Sequence, residues 1–209
     1  MSTTAMIDLV IPAPLAPLEL TLASDVRFSD AAFAELCRAN PDLRLERSRE
    51  GAITIMPPTG GETSRRNAIL ITAIGRWSDA DGSGVVFDSS GGFKLPNGAI
   101  RAPDVSWVLR PRLTALSPRQ KSRFLPLCPD FVVELCSPTD RLADVMAKLD
   151  EYIAAGARLG WLIEPESRTV YIYRPGIEPE RLDSPAELSG APELAGLVVV
   201  LAEVWEPGI

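Results

Sequence analysis

One short run of residues constrains the fold more than any other part of the sequence. Positions 131–136 read Phe-Val-Val-Glu-Leu-Cys, so five apolar side chains surround a single acid. A strand that is apolar on both faces is typical of a sheet that other elements cover on both sides. Together with the order of the predicted elements described below (hairpin, helix, several strands, helix, two strands), this strand predicts an α/β fold in which a mixed β-sheet is flanked by helices.

The residues after this strand predict a helix. Ser137 can act as a capping residue, Pro138 suits the first helical position, and Asp140 follows three residues after the serine. Apolar residues then recur at helical spacing: Leu142, Val145, Met146, Leu149 and Ile153. The pattern predicts a helix that begins directly after Ser137 and ends at Gly156, a natural left-handed cap.

The rest of the sequence predicts further helices, hairpins and strands around this unit. Residues 1–27 are rich in proline and small apolar residues and predict an extended N-terminal arm, so that 28–209 form a single domain. Periodicity and turn residues predict helices over 31–39 and 62–80, a β-hairpin over 43–55, strands over 85–87 and 102–109, and a last hairpin over 159–173.

The chain has 209 residues and contains no histidine. This excludes a Ser-His-Asp triad, a Cys-His dyad and a zinc site built on histidine. The three cysteines, Cys37, Cys128 and Cys136, lie far apart, which argues against a disulfide framework and fits a reducing compartment. Catalysis would have to use carboxylates, lysine, tyrosine, cysteine or a metal held by oxygen.

The N-terminal residues and the apolar runs predict a cytoplasmic protein without a membrane span. The first twenty residues carry no basic residue, Asp8 interrupts their apolar stretch, and no apolar run approaches the length that crosses a bilayer. The net charge of -7 disfavours non-specific binding of nucleic acid unless basic residues are segregated on one face.

An acid inside an apolar strand is unusual, because burying an unpaired charge opposes folding. Glu134 shares its predicted face with Val132 and Cys136, so it must be paired, protonated or bound to a cation. Asp104 lies on another predicted strand, directly after Pro103. If the two strands are neighbours, the two acids converge, and oxygen ligands of this kind suit Mg²⁺ or Mn²⁺.

The predicted helix adds three polar residues at spacings of four: Asp144, Lys148 and Tyr152. A lysine near a metal could orient the attacking water and offset phosphate charge. The residues leave a structural interpretation open as well. In that interpretation Glu134 is the buried partner of an arginine, and Asp144 with Lys148 forms an ordinary helical salt bridge.

Several motifs in succession carry a resemblance to a known family. They are Arg-Ala-Pro-Asp-Val-Ser-Trp at 101–107, Pro-Asp-Phe-Val-Val-Glu-Leu-Cys-Ser-Pro-Thr-Asp at 129–140, and Gly-Trp-Leu-Ile at 160–163, with Lys148, Tyr152 and Gly156 between the last two. The segments 40–47 and 56–63 add to them. Over roughly residues 30–176 the sequence resembles the Uma-two family of restriction endonucleases, within the PD-(D/E)XK nuclease superfamily.

The resemblance implies a restriction-endonuclease-like core and metal-dependent hydrolysis of phosphodiester bonds in DNA, with Mg²⁺ or Mn²⁺ as cofactor. The metal-binding acids of the superfamily motif fall on Asp104 and Glu134. The catalytic lysine of that motif should stand two residues after the second acid, where this chain has Cys136. In this family the lysine is displaced onto the next helix, which points to Lys148.

Four further residues are candidates for supporting roles. Glu46 and Glu62 could each supply an additional acid on the metal side, and Asp144 and Tyr152 could support the metal-binding acids. Each acid also has a plainer interpretation: Glu46 would lie on the solvated face of a hairpin, and Glu62 would compensate the dipole at a helix start.

A basic segment is the candidate DNA contact. Between Val105 and Cys128 the chain has five basic residues and no acid; they are Arg110, Arg112, Arg119, Lys121 and Arg123. In a chain of net negative charge this segregation favours contact with a phosphate backbone. A solvated loop or a dimer contact is the alternative.

Three classes of function therefore remain open at this stage. The leading hypothesis is a Mg²⁺-dependent DNA endonuclease that acts as a homodimer, because two sites related by a dyad can cut both strands of a duplex. The second is a catalytically inactive nuclease-fold scaffold or binding module. The third, a glycosidase with a carboxylate pair, has only the two acids in its favour.

Overall fold

The computed structural model of the protein describes residues 18–20 and 28–209. The arm predicted for 1–27 lies outside the described residues, except for one three-residue strand. The division into an arm and a single domain therefore stays a prediction. Within the described part of the chain, no helix combines the length and the apolar character needed to cross a membrane.

The described residues form six helices and thirteen strands, numbered here in chain order. The helices are α1 (Asp30–Ala39), α2 (Gly61–Asp81), α3 (Arg110–Thr114), α4 (Pro118–Lys121), α5 (Leu142–Ala154) and α6 (Ala202–Trp205). The strands are β1 (Leu18–Leu20), β2 (Arg44–Arg47), β3 (Ile53–Met56), β4 (Gly84–Asp88), β5 (Phe93–Lys94), β6 (Ile100–Arg101), β7 (Val105–Leu109), β8 (Phe131–Leu135), β9 (Leu159–Glu164), β10 (Thr169–Tyr173), β11 (Glu180–Asp183), β12 (Glu187–Ser189) and β13 (Val198–Val200).

The central element is a six-stranded mixed sheet with the strand order β11-β10-β9-β8-β7-β4. The pair β8 and β9 is parallel, and the other neighbours are antiparallel. The two parallel strands are joined by α5, which packs on the sheet, because parallel neighbours need a crossover connection. All five residues of β8 are buried, as its apolar sequence predicts.

Helices and a small hairpin cover the two faces of this sheet. Alternation along β8 sends Phe131 and Val133 to the face covered by α2, α6 and the β12–β13 pair, where Trp107 and Trp161 also lie. Val132 points to the opposite face, where α5 packs. The mixed α/β architecture predicted from the sequence is confirmed.

A second, five-stranded sheet has the order β1-β3-β2-β6-β5. Arg47 of β2 pairs with Ile100 of β6, and only three residues separate β6 from β7 of the six-stranded sheet. The chain therefore passes directly from one sheet to the other. This connection brings β2 close to the start of β7.

The predicted start of the helix after β8 is wrong. The α5 helix begins at Leu142, and residues 137–140 form a turn. The carboxylate of Asp140 accepts the Ser137 backbone N–H at 2.8 Å, and the Ser137 hydroxyl lies 3.1 Å from that of Thr139. The residues that resemble a helix cap therefore satisfy one another in the turn that connects strand to helix.

Two other boundaries differ from the sequence prediction. The strand predicted over 102–109 begins at Val105, because Pro103 offers no backbone N–H for pairing. The hairpin predicted as the last element is formed by β9 and β10, but β11, β12, β13 and α6 follow it. These late elements are short, and their sequence has little periodicity.

Two glycines give a test of the packing between β4 and the core. A methyl group at Gly84 would lie 2.1 Å from the Trp107 ring, whereas one at Gly75 in α2 would have no neighbour within 4 Å. We expect Gly84→Ala to lower the free energy of unfolding by about 1–3 kcal/mol through overpacking. Gly75→Ala should raise it by up to about 1 kcal/mol, because alanine is favoured inside a helix.

Urea unfolding followed by circular dichroism measures both changes. Equal effects of the two substitutions would contradict the close approach of β4 to the indole ring.

Candidate functional site

The two acids singled out in the sequence meet at one end of the six-stranded sheet. The antiparallel register pairs Val105 with Val133, which places Asp104 beside Glu134 on the neighbouring strand. The Asp104 carboxylate accepts the backbone N–H of Leu135 at 3.0 Å through Oδ2. The structure thus brings the two acids together. The sequence analysis made this convergence conditional on neighbouring strands, and β7 and β8 are neighbours.

Glu134 lies on the face of β8 that α5 covers, and only 6% of the residue is exposed. Its Oε1 accepts a hydrogen bond from the Tyr152 hydroxyl at 3.0 Å and lies 3.0 Å from Lys148 Nζ. Lys148 and Tyr152 are four residues apart on α5, so they lie on the same side of the helix. The buried acid is therefore paired with a cation from the following helix.

Lys148 also contacts a third acid. Its Nζ lies 3.2 Å from Glu46 Oε1, and Glu46 is 2% exposed. Glu46 also accepts the Ala102 backbone N–H at 3.0 Å and Arg101 Nη1 at 3.2 Å. The interpretation of Glu46 as a residue on a solvated hairpin face is wrong, because β2 is an inner strand whose neighbour β6 leads into the site.

Two site residues received no role from the sequence. Arg101 is nearly buried and donates to Glu151 at 2.6 Å as well as to Glu46. Two signals could have identified this pair. Arg101 stands three residues before Asp104. Glu151 follows Lys148 by three residues on α5, which places Lys148 and Glu151 on neighbouring turns of one helix face.

Burial and the surrounding charges shift the pKa values in opposite directions. Burial raises the pKa of Glu134 to about 7, against the nearby Lys148 ammonium. Burial also raises the pKa of Asp104, although the Leu135 N–H opposes the shift. Burial acts on Glu46 as well, but Lys148 and Arg101 outweigh it and lower that pKa. Lys148 stays protonated, because its two carboxylate partners raise its pKa despite burial.

These side chains open onto one cavity of about 770 Å³, which we call the acid pocket. Its lining includes Glu46, Asp104, Glu134 and Lys148. The Tyr152 side chain is fully buried behind Glu134. The structure thus brings together both predicted metal-binding acids, the predicted lysine, one predicted additional acid and one supporting residue.

The other two supporting candidates lie in the lining of the acid pocket but are exposed. Glu62, in the first turn of α2, pairs with Arg66 at 2.9 Å. Asp144, in the first turn of α5, lies 3.9 Å from Arg141. Neither carboxylate has a described contact with Asp104, Glu134 or Lys148.

A model of one protein family, Uma2, matches residues 30–202, and its description reads "Putative restriction endonuclease". The chain belongs to the Uma2 family. The resemblance stated from the sequence motifs is confirmed. Membership of this family supports a nuclease function, that is, a hydrolase acting on nucleic acid.

The fold is similar to that of a solved structure, with a TM-score of 0.66 and 23% sequence identity. The match covers 78% of this chain and 89% of the other, a protein from Anabaena variabilis ATCC 29413 described as a "putative nuclease belonging to DUF820". At this identity the likeness concerns the fold. A comparison with curated proteins finds no match.

The basic segment of this Uma2 chain lies apart from the acid pocket. Five residues of β7 separate Asp104 from Arg110, a distance of about 20 Å along the strand. Arg110 donates to the carbonyls of Gly82 and Gly84, both at 3.1 Å, and Arg112 pairs with Asp130 at 2.9 Å. The remaining three, Arg119, Lys121 and Arg123, are exposed. The described pocket lining contains none of the five, and their contact with DNA stays a prediction.

The donor atoms fit a hard divalent cation. Within the described part of this Uma2 chain, no three acid, cysteine or histidine side chains are arranged so that they alone could hold a metal. Asp104 and Glu134 offer carboxylate oxygens on the wall of the acid pocket, which has room for water or substrate ligands. Hydrogen bonds from described residues reach Glu134 at Oε1 and leave Oε2 without a donor among those residues.

The raised pKa of Glu134 predicts how stability changes with pH in the metal-free protein. The folded state holds the Glu134 proton up to about pH 7, whereas an unfolded glutamate loses it near pH 4.3. Stability contributed by this group is therefore present below about pH 4.3 and lost as pH rises through about 7.

As the pH rises from 4 to 8, we expect the free energy of unfolding of Glu134→Gln to increase relative to that of the wild type by about 1–3 kcal/mol. Urea unfolding of both proteins in EDTA measures the difference in the free energy of unfolding. A difference that is constant over this range would mean that Glu134 stays ionised in the folded state, and would contradict the assignment.

Proposed function

We propose that this Uma2 protein is a metal-dependent DNA endonuclease that hydrolyses phosphodiester bonds. One observation carries the proposal: Asp104, Glu134 and Lys148 converge on a single pocket although they lie on a strand start, a second strand and a helix. Two acids can hold a divalent metal ion, and a lysine can stabilise the negative charge that develops on the phosphate. Family membership supports the same reaction class.

Asp104 and Glu134 would hold Mg²⁺ or Mn²⁺, since both ions prefer carboxylate oxygens. When bound, such an ion neutralises phosphate charge and lowers the pKa of a water molecule that attacks the phosphorus. The chain's own residues already fix the positions of both acids. Leu135 N–H orients Asp104, and Tyr152 with Lys148 orients Glu134.

The protonated amine of Lys148 supplies the second catalytic feature. It lies 3.0 Å from Glu134 and 3.2 Å from Glu46, so its position is fixed from two sides. An ammonium group held in this way donates hydrogen bonds to phosphoryl oxygens and stabilises the negative charge that develops during hydrolysis. Its low residual mobility reduces the reorganisation that the reaction requires.

An inactive scaffold is the second candidate, and one observation favours it. Lys148 already contacts two carboxylates, and Arg101 joins Glu46 to Glu151, so the site is also a complete buried salt-bridge network. Such a network can serve to specify one arrangement of the packed elements rather than to catalyse a reaction. A scaffold of this kind has no need of a metal ion.

Cleavage of supercoiled plasmid tests the proposal. We expect nicking in Mg²⁺ or Mn²⁺ and none in EDTA. Asp104→Asn, Glu134→Gln and Lys148→Met should each lower the rate by at least about 100-fold, because each removes a charge that acts in the transition state. Asp150→Asn is the matched control, since this exposed acid also lies on α5 but outside the acid pocket.

Circular dichroism and Mn²⁺ calorimetry complete the experiment. All variants should keep the wild-type spectrum, and Mn²⁺ should bind the wild type but not Asp104→Asn. Equal cleavage by wild type and variants would indicate a contaminating nuclease. A folded wild type that neither cleaves nor binds Mn²⁺ would overturn the endonuclease in favour of the scaffold.

We further propose that the protein acts in the cytoplasm as a homodimer, since a dyad brings one site to each strand of a duplex. Light scattering at micromolar concentration measures the mass directly. A monomeric mass would contradict this assembly.

A further inference from the structure

Five cationic side chains line the acid pocket, and they differ in whether their donors are already occupied. Arg101 and Lys148 each contact two carboxylates. Arg66 donates to a backbone carbonyl at 2.8 Å and to a carboxylate at 2.9 Å. The other two, Arg44 and Arg141, have weaker contacts and are available to a ligand.

Arg44 lies at the start of β2, directly beside the metal-binding acids. Its Nη2 is 3.4 Å from the Ala102 carbonyl and 3.9 Å from Asp104 Oδ1, which is too long for a hydrogen bond to the acid. Its Nε is buried and has no partner among the described residues. The Arg44 side chain is 32% exposed, so its terminal nitrogens, which have only these long contacts, can donate to an anion in the pocket.

Arg141 also lines this cavity. It is the residue before α5, its side chain is 81% exposed, and its contact with Asp144 is 3.9 Å long. The guanidinium can therefore turn toward a ligand without losing a strong interaction. One arginine is thus available next to the acids and another at the pocket mouth.

The charge of the pocket gives these two arginines a function. Six acids line it: Glu46, Glu62, Asp104, Glu134, Asp140 and Asp144. A phosphate that approaches Asp104 and Glu134 meets their negative charge, and the three occupied cations are already neutralised by their partners. A guanidinium offers two parallel N–H donors that match the geometry of a phosphate.

We propose that Arg44 and Arg141 bind the phosphates of the substrate strand in the acid pocket. Arg44 would hold the phosphate that lies against Asp104 and Glu134, and Arg141 a neighbouring phosphate at the mouth. This inference rests on the proposed function and names the residues that attract DNA to its site. It assigns the principal phosphate contact to the pocket rather than to the basic segment 110–123.

Binding of a fluorescent 20-base-pair duplex in EDTA tests the proposal without catalysis. We expect the pair Arg44→Gln and Arg141→Gln to weaken binding by about tenfold or more. The slope of log Kd against log salt should also fall by about one per arginine. The pair Arg119→Gln and Arg123→Gln removes the same charge from the basic segment and should weaken binding less than the pair in the pocket does.

Two further variants separate contact from charge and from folding. Arg44→Lys keeps the charge but loses the paired donors, so it should bind more weakly than wild type. Arg38→Gln with Arg181→Gln is the control pair: it removes the same charge, but both residues are exposed and lie outside the pocket lining. Thermal melts should show that the protein with Arg44→Gln and Arg141→Gln stays folded, with a Tm no lower than that of this control pair.

The outcomes distinguish this inference from the proposed function. A pocket pair that binds duplex as tightly as wild type, or a loss confined to the 119 and 123 pair, overturns the inference even if the wild type cleaves plasmid. If the wild type fails to cleave plasmid but binds duplex, and the Arg44 and Arg141 substitutions weaken that binding, the inference is supported and the proposed endonuclease activity is overturned. A wild type that does not bind the duplex overturns the inference.

Discussion

Glu134 is a carboxylate on a strand whose other four residues are apolar and buried. A charge in that position opposes folding unless other groups compensate it, and the neighbouring elements each supply part of that compensation. The α5 helix contributes the Lys148 ammonium and the Tyr152 hydroxyl. The crossover helix that joins two parallel strands is therefore also the element that makes the buried acid tolerable.

The compensation extends from one sheet to the other. Lys148 is shared with Glu46 on β2, and Glu46 is in turn held by Arg101 and by the backbone of Ala102. Arg101 ends β6, and the chain then passes through Ala102 to Asp104, directly before β7. Consequently the five-stranded sheet, the six-stranded sheet and α5 are joined by one chain of charged contacts at the point where the candidate metal acids lie.

Sequence patterns were sufficient for the parts of this arrangement that depend on local order. The apolar run of β8 predicted a sheet covered on both sides. It also allowed Asp104 and Glu134 to meet, on the condition that their strands are neighbours, and β7 and β8 fulfil that condition. Sequence patterns were insufficient where contacts between distant elements determine the burial and the partners of a side chain. Burial of Glu46 depends on the pairing of β2 with β6, which its hairpin sequence does not encode, and Arg101 acquires its role only when Glu151 arrives from α5.

The position of the lysine shows how tertiary packing replaces strand geometry at this site. A lysine at position 136 would stand two residues from Glu134 on the same strand face, at about 7 Å along the backbone. Cys136 is buried there, and its N–H bonds to Ile163 of β9 at 2.9 Å. The amine of Lys148 instead reaches Glu134 from a helix. The distance between the Lys148 amine and Glu134 therefore depends on how α5 packs against β8 and on the ion pair that Lys148 forms with Glu46 of β2. A strand-borne lysine would need neither constraint, so the buried Glu46 is a partner of Lys148 that the simple strand pattern does not require.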